Sequence, residues 1–108
     1  MEKKVIVIGS GIAGLAVSIR LRSKGYDVEV FEKNKDVGGK LNDFYIENFR
    51  HDFGPKLFTM PNLLEDVYNE AGVNIKKYFK YDKLDIACKY FWNDGHIFNA
   101  YSDSQKFV

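Results

Sequence analysis

Gly9, Gly11 and Gly14 stand in the spacing Gly-x-Gly-x-x-Gly, directly after the apolar run Lys4-Val5-Ile6-Val7-Ile8. Glycines so spaced have a specific use. The first permits a tight turn, and the second lets backbone approach a diphosphate with no Cβ between. The third lets a following helix pack closely on the preceding strand. The start of that helix offers N–H groups and a partial positive charge to the phosphates. The expected seat comprises Gly9, Ser10, Gly11, Ile12, Ala13 and Gly14. Glu32 follows 18 residues after Gly14, with Lys33 beside it. A carboxylate there accepts hydrogen bonds from ribose hydroxyls and repels a 2′-phosphate, which argues against NADP. Gly38-Gly39 allow a second close backbone approach, and Lys40 adds a point charge on the phosphate side. The plainer alternatives are an empty glycine loop, a solvated strand-end glutamate and an ordinary turn with an exposed lysine. These residues alone do not separate NAD from FAD.

Such a site needs a strand, a turn, a helix and a second strand to hold it. Lys4 to Ile8, rich in β-branched residues, predicts a strand buried on both faces. Ile12 to Lys24 predicts a helix with Ile12, Leu15, Ala16 and Ile19 on one face, stopped by Gly25. Val28 to Glu32 predicts the next strand, which completes a right-handed βαβ unit. Asp43 to Asp52 holds short strands, and Gly54-Pro55 breaks them. Pro61 opens a second helix, with Leu63, Leu64, Val67, Tyr68 and Ala71 on one face and Gly72 at its end. The alternation of Leu84, Ile86, Cys88 and Tyr90, then Asp94-Gly95, then Ile97 to Tyr101 predicts a hairpin with a two-residue turn. A hairpin is marginal by itself, so this one is expected to begin a larger sheet. The fold class is therefore α/β: a Rossmann-like βαβ unit on a parallel sheet, then a helix and the start of an antiparallel sheet. The expected division is 1–72 and 73–108.

Composition removes other classes. The chain of 108 residues is one domain at most, and its 16 basic and 15 acidic residues leave a net charge of +1. That balance gives no bulk attraction to nucleic acid or to an anionic membrane. No apolar run approaches the ~20 residues of a spanning helix, and Val5 to Ile8 is shorter than the roughly 7–15 of a secretory signal. Cys88 is the one cysteine, so it forms no internal disulfide, and it reads as a buried, inert strand residue. His51 and His96 have no ligand-spaced companions, so no metal site is expected. No residue reads as a general base. Lys76 to Lys83 mixes basic and aromatic residues and reads as a solvated connector; a membrane surface or single-stranded nucleic acid is the alternative contact. Aromatics make up 16% of the chain, a surplus that suggests rings packing against something beyond these residues.

Val7 to Ala16, Glu32 and Gly38-Gly39-Lys40-Leu41 resemble the N-terminus of the FAD-dependent amine oxidase and carotenoid desaturase superfamily. Phe49 to Pro55, Leu57 to Pro61 and Cys88 to Gly95 narrow the likeness to phytoene and hydroxycarotenoid desaturases of the bacterial type. The likeness covers nearly the whole chain. The family usually has Arg at the position of Lys40, Gly at Asn48, an aromatic residue at His51 and Ser or Thr at Lys56; none of these departures touches the glycine turn or Glu32. The resemblance implies FAD as cofactor and a lipophilic carotenoid as substrate of the longer form. It implies hydride transfer from a carbon–carbon bond to the flavin, with no nucleic-acid partner. The single cysteine makes the reducing cytoplasm the default compartment, with peripheral contact at the inner face of the membrane as an option. Such enzymes are several times longer, so the chain is expected to be an N-terminal piece. A stand-alone dinucleotide-binding module or inert remnant without turnover is the competing expectation.

Overall fold

A computed structural model describes residues 3–54 and 57–107. Two compact units divide the chain, Met1–Ile75 and Lys76–Val108. Expectations that fall on Pro55 and Lys56, including the Pro half of the Gly54-Pro55 break, lie outside the described residues.

The first unit opens with strand β1 (Lys4–Ile8), helix α1 (Ile12–Ser23) and strand β2 (Asp27–Phe31). β1 and β2 pair in parallel, from Lys4 opposite Asp27 to Ile8 opposite Phe31, with α1 as the crossover. Glu32 lies one residue past the end of β2. Lys24 caps α1, and Gly25 follows as expected. Hairpin β3 (Asn42–Ile46) and β4 (Phe49–Phe53) comes next, antiparallel, with Glu47 and Asn48 as its loop. Helix α2 (Pro61–Glu70) begins on Pro61, which loses nothing there because a first-turn N–H has no intrahelical acceptor. α2 packs on α1, its Val67 is 4% exposed, and Arg20 of α1 is ion-paired with Glu70 of α2 at 3.0 Å.

Three expectations about burial change. β1 is not buried on both faces: Val5 and Val7 are half-covered, whereas Ile6 and Ile8 are exposed, Ile8 by 88%. α1 packs on one side of the β1–β2 pair, and no other described element of this unit covers the opposite side. α1 does not bury its Ile12/Leu15/Ala16/Ile19 stripe. Ile12 and Ile19 are exposed, and the buried residue of the helix is Ser18, whose hydroxyl donates to the Gly14 carbonyl at 2.7 Å. Apolar residues run nearly all round this helix, so its sequence does not mark which side meets the sheet. Gly14 lies on the side that does, since a Cβ there would collide with the Gly9 carbonyl oxygen and stand 3.7 Å from the Val7 Cγ1. In α2 the expected face turns inward at Leu64, Val67, Tyr68 and Ala71, but Leu63 is exposed at its edge.

The second unit is a hairpin of β5 (Ile86–Phe91) and β6 (Ile97–Tyr101), antiparallel. Leu84 lies before the strand. A bulge between Ile86 and Cys88 interrupts the expected alternation. The turn has three residues rather than two. The Trp92 N–H donates to the His96 carbonyl at 3.0 Å and the Gly95 N–H to the Trp92 carbonyl at 3.1 Å, with Gly95 left-handed at φ 88°. That is a type I turn closed by a glycine bulge, the usual three-residue loop. Cys88 is exposed rather than buried, because the one described element that packs on the hairpin, the short helical turn Ser104–Phe107, lies against β6 and not β5. The aromatic surplus sits on these surfaces, with Tyr90, Trp92 and Phe98 clustered on one hairpin and Phe44, His51 and Phe53 on the other.

A candidate dinucleotide site at the first glycine turn

The turn joins β1 to α1, and its glycines differ in what surrounds them. Gly9 is left-handed at φ 97°, and its N–H donates to the Phe31 carbonyl at 2.7 Å, which ties the turn to the end of β2. A Cβ at Gly14 would collide with the Gly9 carbonyl oxygen, so this glycine lets the helix seat on the turn. Gly11 has an ordinary φ of −66°, and a Cβ there would meet no atom within 4 Å. The fold therefore needs glycine at 14 and leaves open space at 11, which is the space a diphosphate requires. Gly11 also caps α1, and it has no side chain to bond to the first-turn N–H groups. Those groups lack intrahelical acceptors and carry the positive end of the helix dipole. The residues present thus fit an anionic group at this turn.

Glu32 faces the turn. Its Oε2 accepts the Ser10 N–H and the Ser10 hydroxyl, both at 2.8 Å. Its Oε1 accepts the Asn34 N–H and the Asn34 Nδ2, both at 2.9 Å. Backbone donation from Ser10, then from Asn34, then the Ser10 hydroxyl hold its carboxyl down to about 2 from an ordinary 4.5. The carboxylate is therefore charged at neutral pH and can only accept hydrogen bonds. Ser10 is 1% exposed and both its donors point to Glu32, so it links the turn to the carboxylate rather than presenting its hydroxyl to a phosphate.

The glycine pair meets the same turn. The Gly38 N–H donates to the Ser10 carbonyl at 2.8 Å, and Gly11 and Gly38 form a parallel β-bridge. Gly39 is left-handed at φ 63°, and a Cβ on it would stand 3.0 Å from the Gly11 Cα. The close approach that the sequence suggested is thus first an approach of chain to chain. The structure brings Gly9 to Gly14, Glu32, Gly38 and Gly39 together. Ile12, Ala13, Lys33 and Lys40 are exposed around them. Arg50, a further cation of this unit, is held by Asp43 and by Asp52 at 3.0 Å, lining a cleft of about 560 Å³ with Val37 and Leu41. Motif reading missed Asn34; its signal was an amide two residues past the carboxylate, in the polar turn Lys33-Asn34-Lys35-Asp36.

Residues 7–71 match the family model described as an NAD(P)-binding Rossmann-like domain. The chain is 48% identical over 98% of its length to a 1-hydroxycarotenoid 3,4-desaturase of Flavobacterium sp. (strain P99-3), and covers 22% of that protein. It is 35% identical over 94% of its length to a 4,4'-diaponeurosporene oxygenase of Staphylococcus haemolyticus (strain JCSC1435), covering 20% of it. A 4,4'-diapophytoene desaturase of Staphylococcus aureus (strain Newman) is 39% identical over 87% of the chain, with 19% of that protein covered. The chain thus spans about a fifth of the length of these curated relatives. Their names bear out the resemblance to carotenoid desaturases, and the family match bears out the Rossmann-like part of the expected fold class and a dinucleotide as cofactor.

Proposed function

The chain belongs to the NAD(P)-binding Rossmann-like domain family, and from that premise we propose that it is the N-terminal, FAD-binding part of an oxidoreductase of the carotenoid desaturase type. The observation that carries this reading is the Glu32 carboxylate fixed to Ser10 beside a glycine turn whose central residue, Gly11, borders open space. Gly9 to Gly14 seat the diphosphate, with the start of α1 supplying the positive end of a dipole. Glu32 accepts from the adenosine ribose, and its charge repels a 2′-phosphate. Gly38 and Gly39 hold the second segment against the turn, and the exposed ammoniums of Lys33 and Lys40 lend positive charge on the phosphate side. Ile12 and Ala13 shape the outer wall of the seat.

Bound there, FAD supplies an acceptor for the hydride drawn from a saturated carbon–carbon bond of a polyene. This chain's residues bind and orient the nucleotide end; none of them acts as acid or base. In this proposal residues 1–72 form the cofactor part and 73–108 begin a substrate-side β region. The substrate is a carotenoid, which is lipid-dissolved, so the enzyme works from the cytoplasm with peripheral contact at the inner face of the membrane. The relatives' names support the substrate class, and the charged Glu32 supports a dinucleotide without a 2′-phosphate.

Titration of the protein with FAD and with NAD, followed by flavin fluorescence and calorimetry, tests the assignment. FAD is expected to bind at least ~10-fold more tightly, equal to about 1.4 kcal/mol. A preference for NAD overturns the flavin assignment.

A further inference from the structure

An ionised carboxylate offers about four lone-pair sites. Glu32 has four donors on it: two from Ser10 on Oε2 and two from Asn34 on Oε1. A ribose hydroxyl that donates to this carboxylate must therefore replace one of them. The four are not equally replaceable. Ser10 is 1% exposed and its carbonyl is also held by Gly38, so moving it would open the turn. The Asn34 N–H is fixed by the backbone bend after Glu32. The Asn34 side chain is exposed and can rotate into water without disturbing another contact on the carboxylate.

Resting on the dinucleotide reading above, we propose that the Asn34 side-chain amide is an exchangeable donor that occupies the ribose-hydroxyl seat on Glu32 Oε1 and yields it when the nucleotide binds. Because only the side-chain nitrogen leaves, three donors still hold the carboxylate in place, so orientation survives the exchange. Asn34 is then a specificity-determining residue. It competes with a donor on the ligand, and a ribose without hydroxyls gains nothing by displacing it.

The test measures binding of ADP and of 2′,3′-dideoxy-ADP by the full chain and by its Asn34→Ala variant. Removing the competing donor is expected to tighten ADP binding ~3–10-fold, the value of one hydrogen bond. Dideoxy-ADP binding is expected to be unchanged. A residue that merely stabilises the turn would give the opposite sign, weaker binding of both ligands. ADP binding that is unchanged or weaker in Asn34→Ala, or equal tightening of both ligands, overturns the exchange. If the Asn34→Ala variant binds ADP no better than dideoxy-ADP, or binds neither, the ribose assignment of Glu32 fails and takes the exchange with it.

Discussion

Gly11 and Gly14 belong to one motif but answer to different masters, and substitution separates them. At Gly11 an added Cβ meets nothing within 4 Å, and φ is −66° with ψ 174°, a conformation open to any residue. Two terms of similar size then act on folding. Alanine is a poorer helix cap than glycine by ~0.5–1 kcal/mol. It also restricts the unfolded chain, which favours folding by ~0.4–1 kcal/mol. Gly11→Ala should therefore leave stability within about 1 kcal/mol of the parent, the balance of those opposed terms. At Gly14 the Cβ collides with the Gly9 carbonyl oxygen, and neither backbone can give way without lifting α1 from β1. Overpacking of this kind destabilises by ~1–3 kcal/mol, partly offset by the ~1 kcal/mol by which alanine is the better helix former.

Nucleotide binding reverses the weighting. The methyl group at position 11 stands where the diphosphate approaches, so Gly11→Ala should weaken FAD binding by ~10-fold or more, and Gly11→Val, with its branched side chain, should abolish it. Urea unfolding followed by far-UV dichroism reads the first effect, and FAD fluorescence titration the second. A Gly11→Val protein that is folded and binds FAD like the parent would refute the placement of the diphosphate. A Gly11→Ala protein that loses 3 kcal/mol or more would instead mean that the space beside Gly11 belongs to the fold, since ~3 is the top of the overpacking range.

Further outcomes follow from other residues. The carboxyl of Glu32 sits at about 2 in the folded chain against 4.5 ordinarily, so its contribution to stability is complete above pH 4.5 and is lost as pH falls toward 2. The stability difference between parent and Glu32→Gln, measured by denaturant unfolding, should be flat from pH 5 to 8 and shrink below that range. Glu47 is left-handed at φ 54° in the β3–β4 loop; Glu47→Gly should stabilise the chain by ~0.5–1 kcal/mol, the relief of strain less the entropy of glycine, read as a raised unfolding midpoint. Cys88 is exposed, so the chain should titrate one thiol with a disulfide reagent before any denaturant is added, and a thiol that reacts only on unfolding would contradict the exposed hairpin.

What the sequence made legible is what local chemistry dictates. The apolar run before three spaced glycines marks β1, the turn and the start of α1, because few other arrangements use those residues. Pro61 and Gly72 bracket α2 for reasons internal to a helix. Burial was less legible, because it depends on what lies across from a face. Ile6 and Ile8 have the composition of a doubly covered strand, yet α1 covers one side only. Ser18 is buried in α1 while Ile12 and Ile19 are not, because Gly14 lies on the side that meets the strand and apolar side chains surround the helix. The Asp94-Gly95 pair reads as a two-residue turn, but Gly95 closes a three-residue loop; the two differ by one register step that residue type does not encode. Asn34 escaped because its role comes from meeting Glu32 across a bend, and an asparagine in a polar stretch carries no period.

The geometry of the turn also accounts for the order of its parts. Glu32 and Gly38 are on one covalent stretch, and both end at Ser10, one through its donors and the other through its carbonyl. Ser10 thereby spends all its backbone and hydroxyl bonding on the segment that follows β2. A carboxylate so held is oriented before any ligand arrives, and orienting it in advance lowers the ordering that binding must supply. Gly39 shows the same logic in steric form, since a side chain there would press on the Gly11 Cα and shift the backbone that the diphosphate must approach. The glycine pair therefore holds the backbone of the turn in place. Gly39→Ala should weaken FAD binding in proportion to the displacement of Gly11, whereas replacing exposed Lys40 by a neutral residue should weaken binding at low salt and leave it little changed at high salt.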